Sequence, residues 1–171
     1  MWAGVLLAVG LALAVGIGGC AGPGGEYTNS DLRFMLKPPP GWAVHEYSGQ
    51  PCLFLLGPKG EGPGRPNVNV VVVLLDAGAT LDETAAANKV QAEALKGYEA
   101  VSEETWTLDD GRRASVLEFR HTALGEPVTV EQLTAVADGR VYTVTAAARS
   151  DEFAAEKPAF DACLRSLRAG W

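Results

Sequence analysis

The sequence predicts an α+β fold, an antiparallel sheet flanked by helices in an α/β/α sandwich. Three features point to it. The pairs Asp110-Gly111 and Asp138-Gly139 divide residues 99–148 into strand-length segments, and Asp-Gly suits the positive φ of two-residue hairpin turns. Thr80 and Glu83 have capping-box spacing at the start of a helical segment, where hydroxyl and carboxylate satisfy free backbone N–H groups. Near the C-terminus Phe153, Phe160, Cys163, Leu164 and Leu167 share one helical stripe.

Taken in order, the chain opens with an uncharged apolar run from Trp2 to Gly19, which suits the core of a secretion signal. Ile17, Gly18 and Gly19 before Cys20 resemble a bacterial lipobox. That resemblance implies a lipoprotein signal peptide over 1–19, lipidation at Cys20, and a chain anchored in the bacterial cell envelope facing outside the cytoplasm. No Lys or Arg precedes the apolar run, so an uncleaved anchor helix is the alternative, and both readings export the rest of the chain. Residues 20–30 are rich in Gly and polar groups and read as a flexible tether. Residues 31–171 form one domain of ordinary size.

Within that domain, residues 32–40 read as a short strand ending in a proline turn. Residues 42–47 and 52–56 come next as strands, with Trp42 plugging the core beside the turn. Residues 57–66 are turn formers throughout and read as an exposed loop. The Asn-Val alternation over 67–75 becomes a Val/Leu run, the pattern of a strand buried on both faces at one end. The Thr80 helix should reach about Lys96, with Ala87, Val90, Ala94 and Leu95 facing inward and Gly97 stopping it. The meander then uses residues 99–108, 112–122, 127–137 and 140–148, with a turn at Leu124-Gly125-Glu126. Reading Asp138-Gly139 as a two-residue loop pairs Val136 with Val141 and Leu133 with Val144. Asp109 is placed to pair with Arg112 across its turn. In the last helix Ser150 can cap a first segment, and Pro158 restarts or kinks it.

The run from Phe34 to Trp42, the stretch Asn67-Val68-Asn69-Val70-Val71-Val72, the Thr80-Leu81-Asp82-Glu83 cap, residues 138–145 and the closing Phe160 to Leu167 together resemble the PsbP/DcrB/Mog1-like superfamily, including small bacterial lipoproteins of the LpqN kind. The resemblance covers about residues 32–167. It implies an antiparallel sheet between helices and an accessory or binding role. None of these segments is a catalytic signature.

A formal charge of −7 argues against a nucleic-acid surface and against electrostatic adhesion to anionic lipid, so attachment to the bilayer falls to the acylated N-terminus. With Cys20 set aside, Cys52 and Cys163 remain, either as a disulfide staple or as two buried free thiols. His45 and His121 are the two histidines, and no nucleophile elbow, zinc-binding His-Glu-x-x-His or Cys-x-x-Cys accompanies them. No catalytic residue, metal site or cofactor is therefore expected. The candidate binding surface is Trp106, Lys59, Arg65 and His121, with Trp106 half exposed near a hairpin. The expected function is a non-enzymatic accessory module for an envelope protein complex. The alternatives are a carrier for a small amphipathic or lipid-like ligand, which needs a cavity between sheet and helix, and a hydrolase, which needs chemistry gathered around a histidine.

Overall fold

A computed structural model describes residues 25–46, 52–57, 65–76 and 78–170, with only the backbone for Glu46 and for residues 52–56. Cys20, Lys59 and Trp171 lie outside the described residues. The strands are β1 (Tyr27–Asn29), β2 (Phe34–Leu36), β3 (Ala43–Glu46), β4 (Cys52–Leu56), β5 (Asn67–Leu74), β6 (Glu99–Thr107), β7 (Arg113–Ala123), β8 (Glu126–Ala137), β9 (Arg140–Arg149) and β10 (Arg168–Ala169). The helices are α1 (Leu81–Glu93) and α2 (Phe153–Arg165). A seven-stranded sheet runs β3-β4-β5-β9-β8-β7-β6, and a three-stranded one runs β1-β2-β10. Among the described residues, no helix is long and apolar enough to cross a membrane.

Turn chemistry sets the meander's register. Asp138 and Gly139 both adopt positive φ, +46° and +67°, in a two-residue loop that places Leu133 opposite Val144 and Val136 opposite Val141, as expected. Leu124 and Gly125 do the same between β7 and β8, at +52° and +93°. The Asp110-Gly111 turn is longer, because β6 and β7 pair from Thr107 and Arg113 and Gly111 donates to the Leu108 carbonyl. Arg112 pairs there with Asp110 at 3.8 Å, in place of the expected Asp109, because the Asp110 side chain also caps the Arg112 N–H at 3.0 Å.

One face of the large sheet carries the main core. Val68, Val70 and Val72 of β5, Leu133 of β8 and Val144 of β9 meet Phe160, Cys163 and Leu164 of α2. The small sheet joins this face through Phe34, whose ring meets Tyr142 edge-on at 6.4 Å, while the Tyr142 hydroxyl donates to the carbonyls of Leu32 and Arg33. Trp42 packs on the same core, edge-on to Phe160 at 5.9 Å. β5 is fully buried on this face only. Asn67, Asn69, Val71 and Val73 are half-buried on the other, so the strand is not covered on both sides.

α1 crosses that second face over β7 and β8. Its capping box forms as expected, with Glu83 N–H donating to Thr80 Oγ1 at 3.2 Å and Thr80 N–H to Glu83 Oε2 at 2.9 Å. The helix ends at Glu93, and turns carry the chain to Gly97. Of the residues expected to face inward, Leu95 packs on the core just beyond the helix end, but Asn88 and Ala92 form the buried face and Val90 is 66% exposed. The reason is polar. Asn88 donates to Thr134 Oγ1 at 2.9 Å and to Thr143 Oγ1 at 3.3 Å, and Gln132 donates to Thr145 Oγ1 at 3.4 Å nearby. Buried hydroxyls need partners, so this seam selects the helix rotation that supplies an amide. Replacing Asn88 with alanine should cost about 1–3 kcal/mol, because two buried threonine hydroxyls lose their donor. Chemical denaturation measures it, and a loss below about 0.5 kcal/mol would leave the rotation unexplained.

α2 is one continuous helix with Pro158 inside it. Ser150 does not cap it. Its hydroxyl accepts from Thr129 Oγ1 at 2.8 Å, and Glu152 occupies the cap position without a side-chain bond. β1 occupies Tyr27–Asn29, inside the stretch read as tether. β10 pairs with β2 on the side away from β1 and so closes the three-stranded sheet.

Candidate functional site

A cleft of about 380 Å³ opens between α1 and β6, the strand at one edge of the large sheet. The helix contributes Leu81, Ala85 and Ala86 as an apolar wall, and β7 contributes Arg113 and Ser115. Along its rim Lys89 Nζ meets Glu103 Oε2 at 2.6 Å, and Arg113 Nη2 approaches Asp82 Oδ1 at 4.0 Å. The Glu103 hydrogen bond holds the Lys89 ammonium above its ordinary pKa. Glu104 accepts the Trp106 indole N–H at 2.9 Å. A cavity between sheet and helix was the requirement for an amphipathic carrier. This one has the size, but charged groups border it, which suits a polar backbone better than an alkyl chain.

The sequence-derived candidates do not converge on it. Trp106 is 7% exposed rather than half exposed, because the Arg165 guanidinium stacks on its ring with the carbon 3.8 Å from the centroid. Arg65 donates through Nε at 2.7 Å and Nη2 at 2.5 Å to the Gly57 carbonyl, and Gly57 N–H donates to the Pro66 carbonyl at 2.9 Å. Arg65 thus clasps the mouth of the β4–β5 connection. His121 is 4% exposed beside Phe119, with Nε2 unpartnered, and burial pushes its pKa down. His45 of β3 pairs in register with Phe54 of β4, and β3 lies five strands from the β7 position of His121. At about 4.8 Å per strand that is roughly 24 Å, too far for the two histidines to share a cleft. Cys163 is a buried free thiol whose pKa burial raises to about 12. Cys52 stands opposite Val71 in register, and its side chain lies outside the described residues.

A second cluster escaped the sequence reading. Glu131 of β8 lies beneath α2 at 1% exposure, directly opposite Glu118 of β7. Two like charges so placed repel, and Lys157 of α2 answers both. Its Nζ lies 2.5 Å from Glu131 Oε1, 3.1 Å from Glu118 Oε2 and 3.3 Å from Asp161 Oδ1. Burial raises the Glu131 carboxyl to about 7, against the pull of Lys157 and with a further push from Asp161. Burial also opposes the Lys157 charge, yet the bonds to Glu131 and Glu118 hold its pKa above the ordinary value. One signal was available: a carboxylate at a core-facing position of a strand, with a lysine at the α2 position between Phe153 and Phe160.

No sequence-family model matches the chain. No curated protein matches it either. Solved structures do. LpqN of Mycobacterium tuberculosis, described as involved in cell envelope biogenesis, is similar with a TM-score of 0.69 and 19% identity, over 83% of this chain and 87% of that one. The cyanobacterial PsbP of Synechocystis sp. PCC 6803 gives 0.63 and 16%, over 91% and 98%. A Mog1 variant gives 0.57 and 11%, over 84% and 94%. At these identities the likeness speaks for the fold. The chain shares with these structures an α+β fold, a meander-centred antiparallel sheet flanked by helices.

Proposed function

We propose that the protein is a non-enzymatic accessory module of the bacterial cell envelope, held at the membrane by a lipid on Cys20, and that it binds a partner protein at the α1–β6 cleft. The observation that carries this reading is the cleft's position. It lies along a sheet edge and opens to solvent, with mixed charge and an apolar wall, as protein-binding grooves do. The buried histidine and the distant one fit an accessory role better than a hydrolytic one. LpqN, a protein of envelope biogenesis, shares the fold and supports the compartment by analogy.

A photo-crosslinking amino acid placed at Thr105, in the cleft, and separately at Leu124, on the far 75%-exposed turn, tests the site in living cells. The expected result is one envelope protein captured from Thr105 and not from Leu124. Capture should weaken in the Cys20→Ala form, which loses the tether. Equal capture from both positions, or none from Thr105, overturns the assignment.

A further inference from the structure

Among the described residues, β6 pairs on one side with β7 and ends the sheet on the other. An edge strand presents a row of unpaired N–H and C=O groups, which templates addition of another strand. Its single irregularity is a register shift between Ala100 and Ser102, after which residues 102–107 pair regularly with β7. That regular run is about 20 Å long. The cleft flanks it, so a strand laid beside β6 would direct alternate side chains toward the wall of Leu81, Ala85 and Ala86.

Charge selects the occupant. Between Glu99 and Asp110 the chain has five carboxylates and no Lys or Arg. Neighbouring cations answer part of this charge: Lys89 meets Glu103 at 2.6 Å, Arg120 meets Glu99 at 3.4 Å, and Arg112 meets Asp110 at 3.8 Å. Among the described residues Glu104 and Asp109 have no ion pair. The edge keeps a negative surplus, and a second copy of β6 would bring like charges together. A strand bearing Lys or Arg would instead find complementary partners.

We propose that β6 is a docking edge for an extended, Lys/Arg-bearing segment of a partner protein, which adds to residues 102–107 as a further strand and fills the α1–β6 cleft. This rests on the reading of the cleft as the partner site. Main-chain hydrogen bonds give the affinity, the acidic edge gives the preference for basic segments, and the cleft reads alternate side chains.

The test uses the full-length protein and peptides of about eight residues, the length of an ordinary strand. One alternates valine with lysine, one alternates valine with glutamate, and a third is the lysine peptide with alternate backbone nitrogens methylated. Titration calorimetry gives affinities, and amide hydrogen exchange reports on β6. The lysine peptide should bind and slow exchange of β6 amides. The N-methylated peptide and the Glu104→Lys variant should each weaken binding by about tenfold or more, as lost backbone bonds or reversed charge would. Equal binding of the methylated peptide means charge attraction without strand addition and overturns the proposal. So does equal binding of the glutamate peptide, or failure of the lysine peptide to bind. If Thr105 still captures an envelope partner in cells while peptides fail, the partner site stands and strand addition falls. If both fail, the site assignment falls as well.

Discussion

Replacing Lys157 with methionine is expected to destabilise the protein by about 3 kcal/mol at pH 8 and by less than half of that at pH 5. Removing one partner of a buried pair commonly costs about 3–5 kcal/mol, and the lower end applies because the Lys157 side chain is 36% exposed and partly screened. The pH dependence comes from Glu131. Its carboxyl sits near 7 in the folded protein against an ordinary 4.5, so the folded state holds a proton that the unfolded chain releases. Stability is therefore greatest below about 4.5 for this group and falls as pH rises to 7, by roughly 3 kcal/mol in total. Lys157 adds no slope there, since its folded pKa lies above its ordinary 10.5.

His121 slopes the other way. Burial lowers its pKa, so its contribution is lost as pH falls through and below the ordinary 6.5. The two partly cancel in the wild type, which is why Glu131→Gln is the informative comparison. Subtracting its denaturation profile from that of the wild type should isolate the Glu131 fall between pH 4.5 and 7. Combining Lys157→Met with Glu131→Gln should recover most of the loss at pH 8, because the most deeply buried of the three carboxylates that Lys157 meets no longer ionises, while Glu118 and Asp161 keep contact with solvent. A Lys157→Met penalty equal at both pH values would mean that Glu131 stays charged throughout.

Phe160→Ala should be the most damaging apolar truncation on α2, at about 3–5 kcal/mol. The ring is fully buried and touches two aromatic neighbours, Trp42 at 5.9 Å and Phe153 at 5.5 Å. Alanine there opens a cavity between helix and sheet that neither neighbour can fill without leaving its own contact. Phe160→Leu should recover more than half of the loss, since it restores most of the volume without the ring contacts. Thermal and urea unfolding measure both. A loss under about 1 kcal/mol would show that α2 is not held by this contact.

The meander was legible in the sequence because Asp138-Gly139 fixes a two-residue loop, and one loop of known length sets the register of two strands. The Thr80–Glu83 cap was legible for a similar reason, since both groups act within one helical turn. The rotation of α1 was not. Apolar periodicity favoured Val90, whereas the helix orients by Asn88 meeting two threonines that are 46 and 55 residues away. β1 and β10, at three and two residues, are too short to carry a period, and β10 is defined only by its pairing with β2. The cleft arises from an edge strand and a helix that no local motif links. Trp106 misled because its place near a hairpin hid the Arg165 guanidinium that covers its ring.

The small sheet has a mechanical consequence. Tension on the chain before Tyr27 enters through β1, which pairs with β2 over Tyr27, Thr28 and Asn29. β2 passes the load on at two places: to β10, just beyond α2, and to β9, where the Tyr142 hydroxyl grips the carbonyls of Leu32 and Arg33. A pull at the N-terminus thus reaches the helix that covers the main core before it reaches α1 on the other face of the sheet. The first part to give way under force would be the short β1 ladder, while the α1–β6 cleft, on the other face of the large sheet, keeps its shape.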